Sequence, residues 1–238
     1  MINWFDKNQL MRLILLVCAL WLTSSCGNIQ YLTVSSPQAI KNKEKDLVFE
    51  NDTVKITYRF NGGPGPISIS VQNKSAFPVQ VNWKKSAFIL DGRPKSYFSG
   101  EFLLKGDLSI DSSRSIIRQA SYKGQLETDE ALQFLPPNSS VTKKMSVLPS
   151  GKIKNITAGK GVAKSLKSTP TQRFKYIQYR FDETNSPLLF RSFLTLQSAG
   201  GQEVFMDHHF YISEIWTSEQ GPSYLPKEIR MGGDLFSL

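Results

Sequence analysis

Apolar residues alternate with polar ones through much of this 238-residue chain, and that period of two limits the fold it can adopt. Successive side chains of a β-strand point to opposite faces, so the pattern is typical of strands with one buried face. Gly, Pro and Asn turns separate the alternating segments, and the chain has no fixed-period repeat. The sequence therefore predicts an all-β fold, an antiparallel β-sandwich of immunoglobulin-like architecture. The predicted strands cover residues 54–60, 67–71, 79–83, 86–90, 141–147, 177–181, 188–196 and 204–215.

The middle of the chain is less regular. Its apolar clusters, at residues 98–104, 116–117 and 132–135, are separated by serines, glycines and charges. A short helix is predicted near Thr128–Phe134. Whether residues 99–140 belong to the same sandwich stays open at this point.

The first 26 residues have the layout of an export signal. The apolar run Leu13–Trp21 is about half as long as the roughly twenty residues that cross a bilayer, so it predicts a cleaved signal. Ser24–Ser25 supplies small side chains before Cys26, whose thiol is a candidate acceptor for a diacylglycerol. The segment resembles lipoprotein signals cut by signal peptidase II, although Thr23 stands where that family usually has Leu. The alternative is an ordinary secretory signal with an incidental cysteine.

The cysteines favour lipidation. Cys18 and Cys26 are the only two in the chain, and Cys18 would leave with the signal. The exported chain would then fold without a disulfide, and an unmodified Cys26 would be a free thiol in an oxidising compartment. We predict a signal peptide at 1–25, a tether at 26–45 with room for a short strand at residues 29–34, and the β-sandwich domain at 46–238.

Several segments resemble a group of uncharacterised lipoproteins from Bacteroidota: Phe49–Tyr58, Val71–Ser75, Pro78–Ser86, Ser186–Leu194 and His209–Ser213. The resemblance covers most of the chain after the signal and implies a membrane-tethered, β-rich domain with no known activity. Relatives exported to the cell surface usually carry acidic residues after the lipidated cysteine, and residues 27–30 carry none. The resemblance therefore implies an outer-membrane lipoprotein that faces the periplasm.

The charge is strongly positive, at +9, of which +8 remains after the first 25 residues. Residues 131–181 contain no Asp or Glu, and residues 150–172 have the Gly-, Ser- and Thr-rich composition of a long basic loop. Outside the cytoplasm the acidic partners are lipid headgroups and envelope polymers rather than nucleic acid. The alternative is a solvated insertion. The candidate polyanion-binding residues are Lys152, Lys154, Lys160, Lys164 and Lys167.

No spacing of residues predicts a catalytic site, a metal site or a cofactor. His208 and His209 are adjacent on a predicted strand and point to opposite faces, so they cannot chelate one metal together. We expect His208 to be a core residue and His209 to meet solvent or a cross-strand partner. The pairs Asp129–Glu130 and Asp182–Glu183 are predicted to lie on solvated turns.

Aromatic residues offer further candidates for contact with a ligand. Trp83 shares the apolar side of its strand and is predicted to pack in the core. Tyr97, Phe98 and Trp216 lie near the ends of predicted elements and are the better candidates for an exposed contact. The segment Gly62–Pro66 is predicted to be a hairpin turn rather than a phosphate loop, because its two prolines remove N–H donors.

Three functions remain open from the sequence. The first is a non-enzymatic, membrane-tethered envelope lipoprotein that binds a protein or polymer partner. The second is a hydrolase of envelope polymers or glycans that uses His208 or an acidic residue. The third is binding to an anionic surface through the basic loop.

Overall fold

The computed structural model describes residues 28–62, 66–100, 102–111, 119–128, 130–146, 151–154, 156 and 161–238. Most of this part of the chain is β-strand, and the named strands pair antiparallel. The two larger sheets face each other across one apolar core, which agrees with the predicted all-β sandwich. None of the helices in the described ranges is long and apolar enough to cross a membrane.

The larger sheet has nine strands. Its central path runs β10 (Leu132–Leu135), β6 (Val79–Leu90), β14 (Leu189–Ser198), β15 (Glu203–Ser218), β1 (Ile29–Ser35) and β16 (Leu235–Ser237). Three further strands join it: β7 (Arg93–Ser96) pairs with β6, and the hairpin of β12 (Val162–Lys167) and β13 (Arg173–Arg180) pairs with β15 through β13. With 16 residues, β15 is long enough to pair with three strands.

The second sheet has five strands. Its order is β11 (Ser140–Ser146), β5 (Pro66–Asn73), β4 (Val54–Arg59), β3 (Leu47–Glu50) and β2 (Ile40–Lys41). A separate two-stranded sheet consists of β8 (Phe102–Asp111) and β9 (Gln119–Thr128), so the middle of the chain forms a hairpin of its own.

The sandwich core follows the alternation in the sequence. In β4 the side chains of Val54, Ile56 and Tyr58 are buried, and the residues between them are half-buried. The same parity places Phe210 and Ile212 of β15 in the core. Burial of such apolar surface is the main driving force for this fold, at about 25 cal/mol per Å².

A second cluster lies on the other face of the larger sheet. Phe174 and Trp216 pack there with Tyr31, and Leu225 covers them. Leu225 belongs to the segment that contains a 3₁₀ turn, Pro222–Tyr224, and a short helix, α1 (Lys227–Arg230). Strand β1 is therefore buried on both faces, since Leu32 and Val34 lie in the main core.

The structure corrects four sequence predictions of local structure. The short strand predicted at residues 29–34 is confirmed as β1, but residues 28–45 are not a tether, because β1 pairs with β15 and β16 in the larger sheet and β2 pairs with β3. The proposed basic loop at 150–172 contains β12, which pairs with β13 along its whole length. The helix predicted near Thr128–Phe134 is wrong, because β10 pairs there with β6. The two strands predicted within 79–90 form one strand, β6, with an irregularity opposite Phe193 and Thr195 of β14. The signal at 1–25 lies outside the described residues.

Candidate functional site

The basic segment of the chain meets the N-terminal end of β1. Lys164 and Lys167 lie on β12, and both are exposed. Their partner strand β13 contributes Arg173 and Lys175. Lys160, also a predicted polyanion-binding residue, lies outside the described part of the chain.

A pair of hydrogen bonds brings the remaining predicted lysines to the same place. Gln30, the second residue of β1, donates from Nε2 to the Ile153 carbonyl oxygen at 3.0 Å, and the Ile153 N–H donates to Gln30 Oε1 at 2.8 Å. Lys152 and Lys154 flank Ile153, and both are exposed. The Gln30 side chain is buried, so these two bonds fix the segment 151–154 against β1.

An open groove connects these parts. It has a volume of about 710 Å³ and is lined by Asn28, Lys164, Lys175, Ile177 and Thr217 with their neighbours. Thr217 lies directly opposite Gln30 in the β1–β15 ladder, and directly opposite Ile177 in the β13–β15 ladder. The segment held by Gln30 therefore borders the groove on the same face of the sheet. We call the surrounding cations the groove cations: Lys152, Lys154, Lys164, Lys167, Arg173 and Lys175.

Six cations elsewhere on the sandwich pair with carboxylates, whereas none of the groove cations does so among the described residues. In the described ranges ion pairs join Lys41 to Asp234, Arg59 to Asp46, Lys74 to Glu50, Lys85 to Glu203, Arg180 to Glu214 and Arg191 to Asp207. The Arg173 guanidinium instead donates to Ser165 Oγ, at 3.2 and 3.0 Å. Glu219 is the acidic residue on the groove wall. The groove therefore presents a net positive surface to solvent.

A group of hydrogen-bonded side chains that could take part in catalysis lies inside the sandwich around His208. Tyr97 donates its hydroxyl proton to Ser192 Oγ at 2.7 Å. The Tyr58 hydroxyl lies 2.9 Å from the same Oγ and 2.8 Å from His208 Nδ1. Each hydroxyl proton of this hydrogen-bond network is used when Ser192 donates to Tyr58 and Tyr58 donates to His208 Nδ1. The proton of the neutral imidazole is then on Nε2. Phe49 stacks on the imidazole, with ring centroids 3.8 Å apart.

Burial sets the protonation of this cluster. It lowers the pKa of His208 to about 4, against an ordinary value of 6.5, so the imidazole is neutral at pH 7. Burial also raises the pKa of Tyr58 well above its ordinary value, and the phenol keeps its proton. Tyr58 and Ser192 are 0% exposed. A substrate cannot reach either hydroxyl while the two sheets are packed. The hydrogen bonds instead satisfy buried polar groups and join the sheets, through Tyr97, Ser192, Tyr58 and His208.

A shallow cavity lies beside His208. It has a volume of about 270 Å³ and is lined by Gln38, Phe49, Glu50, Met206 and His208 with their neighbours. The sequence prediction for the two histidines is confirmed: His208 is 8% exposed in the core, while the His209 side chain is 48% exposed. His209 Nε2 lies 3.7 Å from Asp207 Oδ2 on the opposite face. No group of three or more potential metal ligands is present among the described residues.

The outer face of the larger sheet exposes a set of apolar side chains near the start of β15. Leu132 and Phe205 lie in one row across β10, β6, β14 and β15, and Phe134 lies in the next row. These three residues are more than half exposed, and Phe193 stacks on Phe205 with centroids 5.7 Å apart. We call Leu132, Phe134, Phe193 and Phe205 the aromatic surface. Thr217 at the groove lies twelve residues after Phe205 on β15, so the aromatic surface and the groove are up to about 40 Å apart.

The aromatic residues singled out in the sequence are mostly core residues. Trp83 is buried as predicted, and its indole N–H donates to Gln133 Oε1. Tyr97 and Trp216, the better candidates for an exposed contact, are both buried: Tyr97 belongs to the buried hydroxyl chain and Trp216 packs with Tyr31 and Phe174. Phe98 is half-buried against the core. Tyr97 and Trp216 lie near strand ends, and other segments of the chain cover those ends. The sequence does not show this coverage.

The acidic and glycine-rich segments behave as turns where they are described. Asp182 accepts hydrogen bonds from Thr184 and Asn185 in an exposed turn, and the two from Thr184 lower the pKa of its carboxyl. β4 and β5 pair antiparallel on either side of the Gly62–Pro66 segment, whose central residues 63–65 lie outside the described residues, as does Asp129.

Sequence reasoning missed Asn28 and Gln30 at the groove, and Ser192 and Tyr58 in the buried chain. The only sequence signal for the first pair is a polar Gln30 between the apolar residues Ile29 and Tyr31. Comparison of the chain with protein-family models, with curated proteins and with solved structures finds no match.

Proposed function

We propose that this chain is a lipid-anchored protein of the bacterial envelope, attached to the outer membrane through Cys26 and facing the periplasm, whose sandwich is a non-enzymatic binding module. Two antiparallel sheets over one core, with Trp83 buried on a central strand, support an immunoglobulin-like variant of the sandwich that has no disulfide. The observation that carries the proposal is the position of β1. This strand begins at Ile29, three residues after Cys26, and it is buried in the middle of a sheet.

The short connection has a physical consequence for how the protein sits. Three extended residues span at most about 10 Å, so acyl chains on Cys26 hold the end of β1 next to the bilayer. Two or three acyl chains give a stable anchor where one chain gives only a reversible one. In this arrangement the groove faces the membrane side of the molecule, and the aromatic surface lies towards its other end.

The aromatic surface supports the role of a binding module. Exposed, stacked aromatic side chains are enriched where proteins meet their partners. Phe205 is 58% exposed and Phe134 is 59% exposed on the same face. Their position away from the anchor leaves them accessible to a protein or polymer in the periplasm.

The anchor is tested with two cysteine variants. Cells that produce the chain are fed an alkyne analogue of palmitate, and the mature N-terminus is identified by mass spectrometry after membrane fractionation. Cys26→Ser should lose the label and the diacylglyceryl mass, because no other thiol remains after the signal is cut. Cys18→Ser is the matched control and should keep both. A chain that retains Met1 and fractionates with soluble proteins would refute the proposal.

The binding role is tested with a photo-crosslinking residue placed at Phe205 in intact envelopes. A defined adduct is expected there, and none is expected from the same residue at Glu183, which lies exposed in a turn on another part of the sandwich. The absence of any Phe205 adduct with envelope proteins or cell-wall polymers would count against a binding module.

A further inference from the structure

The groove combines three features. Lys164 and Lys175 line it, the other four groove cations lie on the adjoining segments, and none of the six pairs with a carboxylate among the described residues. It is lined by Asn28, two residues after Cys26. It also exposes an apolar side chain, Ile177, which is 42% exposed on the groove wall.

The direction of the strands places the cations at the anchored end. β1 starts opposite Ser218 at the end of β15, and Gln220 just beyond it receives a hydrogen bond from the Lys175 N–H and donates one to the Arg173 carbonyl. The turn that joins β12 to β13, flanked by Lys167 and Arg173, therefore projects past the same end of the sheet.

Three of these cations also share one side of the sheet. Lys167 lies opposite Arg173 and Ser165 lies opposite Lys175, so their side chains point to the face that carries Ile177 and Thr217. Gln30 lies on that face as well and fixes the segment that contains Lys152 and Lys154. Lys164 lies opposite Tyr176 and so belongs to the other face, although it also lines the groove. The positive charge is thus concentrated at one end of the molecule, next to the residue that would carry the lipid.

We propose that the groove and the groove cations bind the phosphate groups of anionic lipid headgroups in the bilayer that holds the anchor. The inference rests on the proposed function, because the anchor brings this end of the sandwich to the membrane. Lysine and arginine are the residues that bind phosphate, and an interfacial site combines them with apolar side chains such as Ile177. The site would fix the orientation of the sandwich on the membrane, with the aromatic surface turned towards the periplasm.

The test uses the acylated protein, purified from membranes in detergent and reconstituted into vesicles. One set of vesicles is zwitterionic and the other contains phosphatidylglycerol. Reaction of each lysine with an amine-modifying reagent is measured by mass spectrometry. Lys164 and Lys175 should react about fivefold more slowly on the anionic vesicles, the factor expected for a basic residue held at an anionic surface. High salt should remove the difference, because it screens surface charge. Lys43 and Lys84 should react equally on both sets.

Charge reversal provides a second, independent readout. The double variant Lys164→Glu and Lys175→Glu should lose the protection of Lys152, Lys154 and Lys167 on anionic vesicles. The matched control, Lys43→Glu with Lys84→Glu, makes the same change in charge at two other exposed lysines and should keep it. Circular dichroism of both variants checks that the strands are retained.

The outcomes separate this inference from the proposed function. Equal reactivity of Lys164 and Lys175 on both vesicle types, with the protein bound to both, would overturn the inference and leave the anchor intact. A protein that carries no acyl chain and does not float with either vesicle type would overturn both.

Discussion

Acidification should destabilise the sandwich through a single side chain, His208. Its Nδ1 lies 2.8 Å from the Tyr58 hydroxyl, and its ring is stacked on Phe49. Burial lowers its pKa to about 4, whereas the imidazole has a pKa of 6.5 when it is exposed in the unfolded chain. Between these two values the unfolded state binds a proton and the folded state does not.

The size of the effect follows from the two pKa values. A folded-state pKa below that of the unfolded chain gives stability that is present above pH 6.5 and is lost as the pH falls towards 4. The difference corresponds to about 3 kcal/mol in total, of which about 2 kcal/mol is lost between about pH 7 and about pH 5. This is a large part of the free energy of unfolding of a typical domain.

The assay is urea unfolding of wild type and of His208→Gln at a series of pH values across this range. The variant keeps a neutral polar side chain and removes the titrating group. The free energy of unfolding of wild type should therefore fall by about 2 kcal/mol more than that of the variant between about pH 7 and about pH 5.

The control is His209→Gln, which changes the adjacent and half-exposed imidazole. It should reproduce the pH dependence of wild type. If His208→Gln and wild type lose stability in parallel as the pH falls, the neutral, buried imidazole described here is wrong.

Three further substitutions test the packing. Tyr58→Phe removes the hydroxyl between Ser192 and His208 and should lower the free energy of unfolding by about 1–3 kcal/mol, measured by urea unfolding. Gly233→Ala places a Cβ on the carboxylate of Asp46 and should lower the melting temperature in calorimetry, whereas Gly221→Ala meets open space and should leave it within error. Asn73→Ala removes the amide that donates to the carbonyls of Phe77, Leu135 and Pro136 and should cost about 1–3 kcal/mol; an unchanged urea midpoint would contradict this.

The sequence predicts the strands whose two faces differ. In β4 and β5 the apolar residues recur with a period of two because one face meets the core and the other meets solvent. Gly200–Gly201 likewise marks the turn between β14 and β15, where the Ser198 N–H donates to Gln202. Local pattern and tertiary structure agree at these places, so the prediction from pattern is confirmed.

The short strand predicted at residues 29–34 is confirmed as β1, but its place inside the larger sheet is missed, because a strand buried on both faces has no alternation. Tyr31 faces the second cluster while Leu32 and Val34 face the main core, so both faces are buried and the alternation disappears. β12 is missed for the opposite reason: its residues are mostly exposed, so it has the composition of a loop and becomes a strand only by pairing with β13.

The sequence predicts part of each candidate site and misses the contacts that assemble it. The inward direction of His208 follows from strand parity, but its contact with Tyr58 depends on how two sheets are aligned across 150 residues of sequence. Similarly, composition identifies the lysines of the basic segment, whereas their gathering at the start of β1 depends on the Gln30–Ile153 hydrogen bonds. Contacts between distant segments leave no pattern in a single sequence.

The pairing of β1 with β15 and β16 also determines when the chain can fold. Residues 29–35 find their partners at 211–218 and 235–237, so the first strand to be made, and to be exported in the proposed function, is among the last to be covered. Contacts between such distant segments form slowly, because a long loop must close first. A lipid-anchored chain exported as proposed would thus carry its lipid while β1 still exposes Leu32 and Val34. Until β15 and β16 pair with β1, a chaperone that shields apolar strands would be needed.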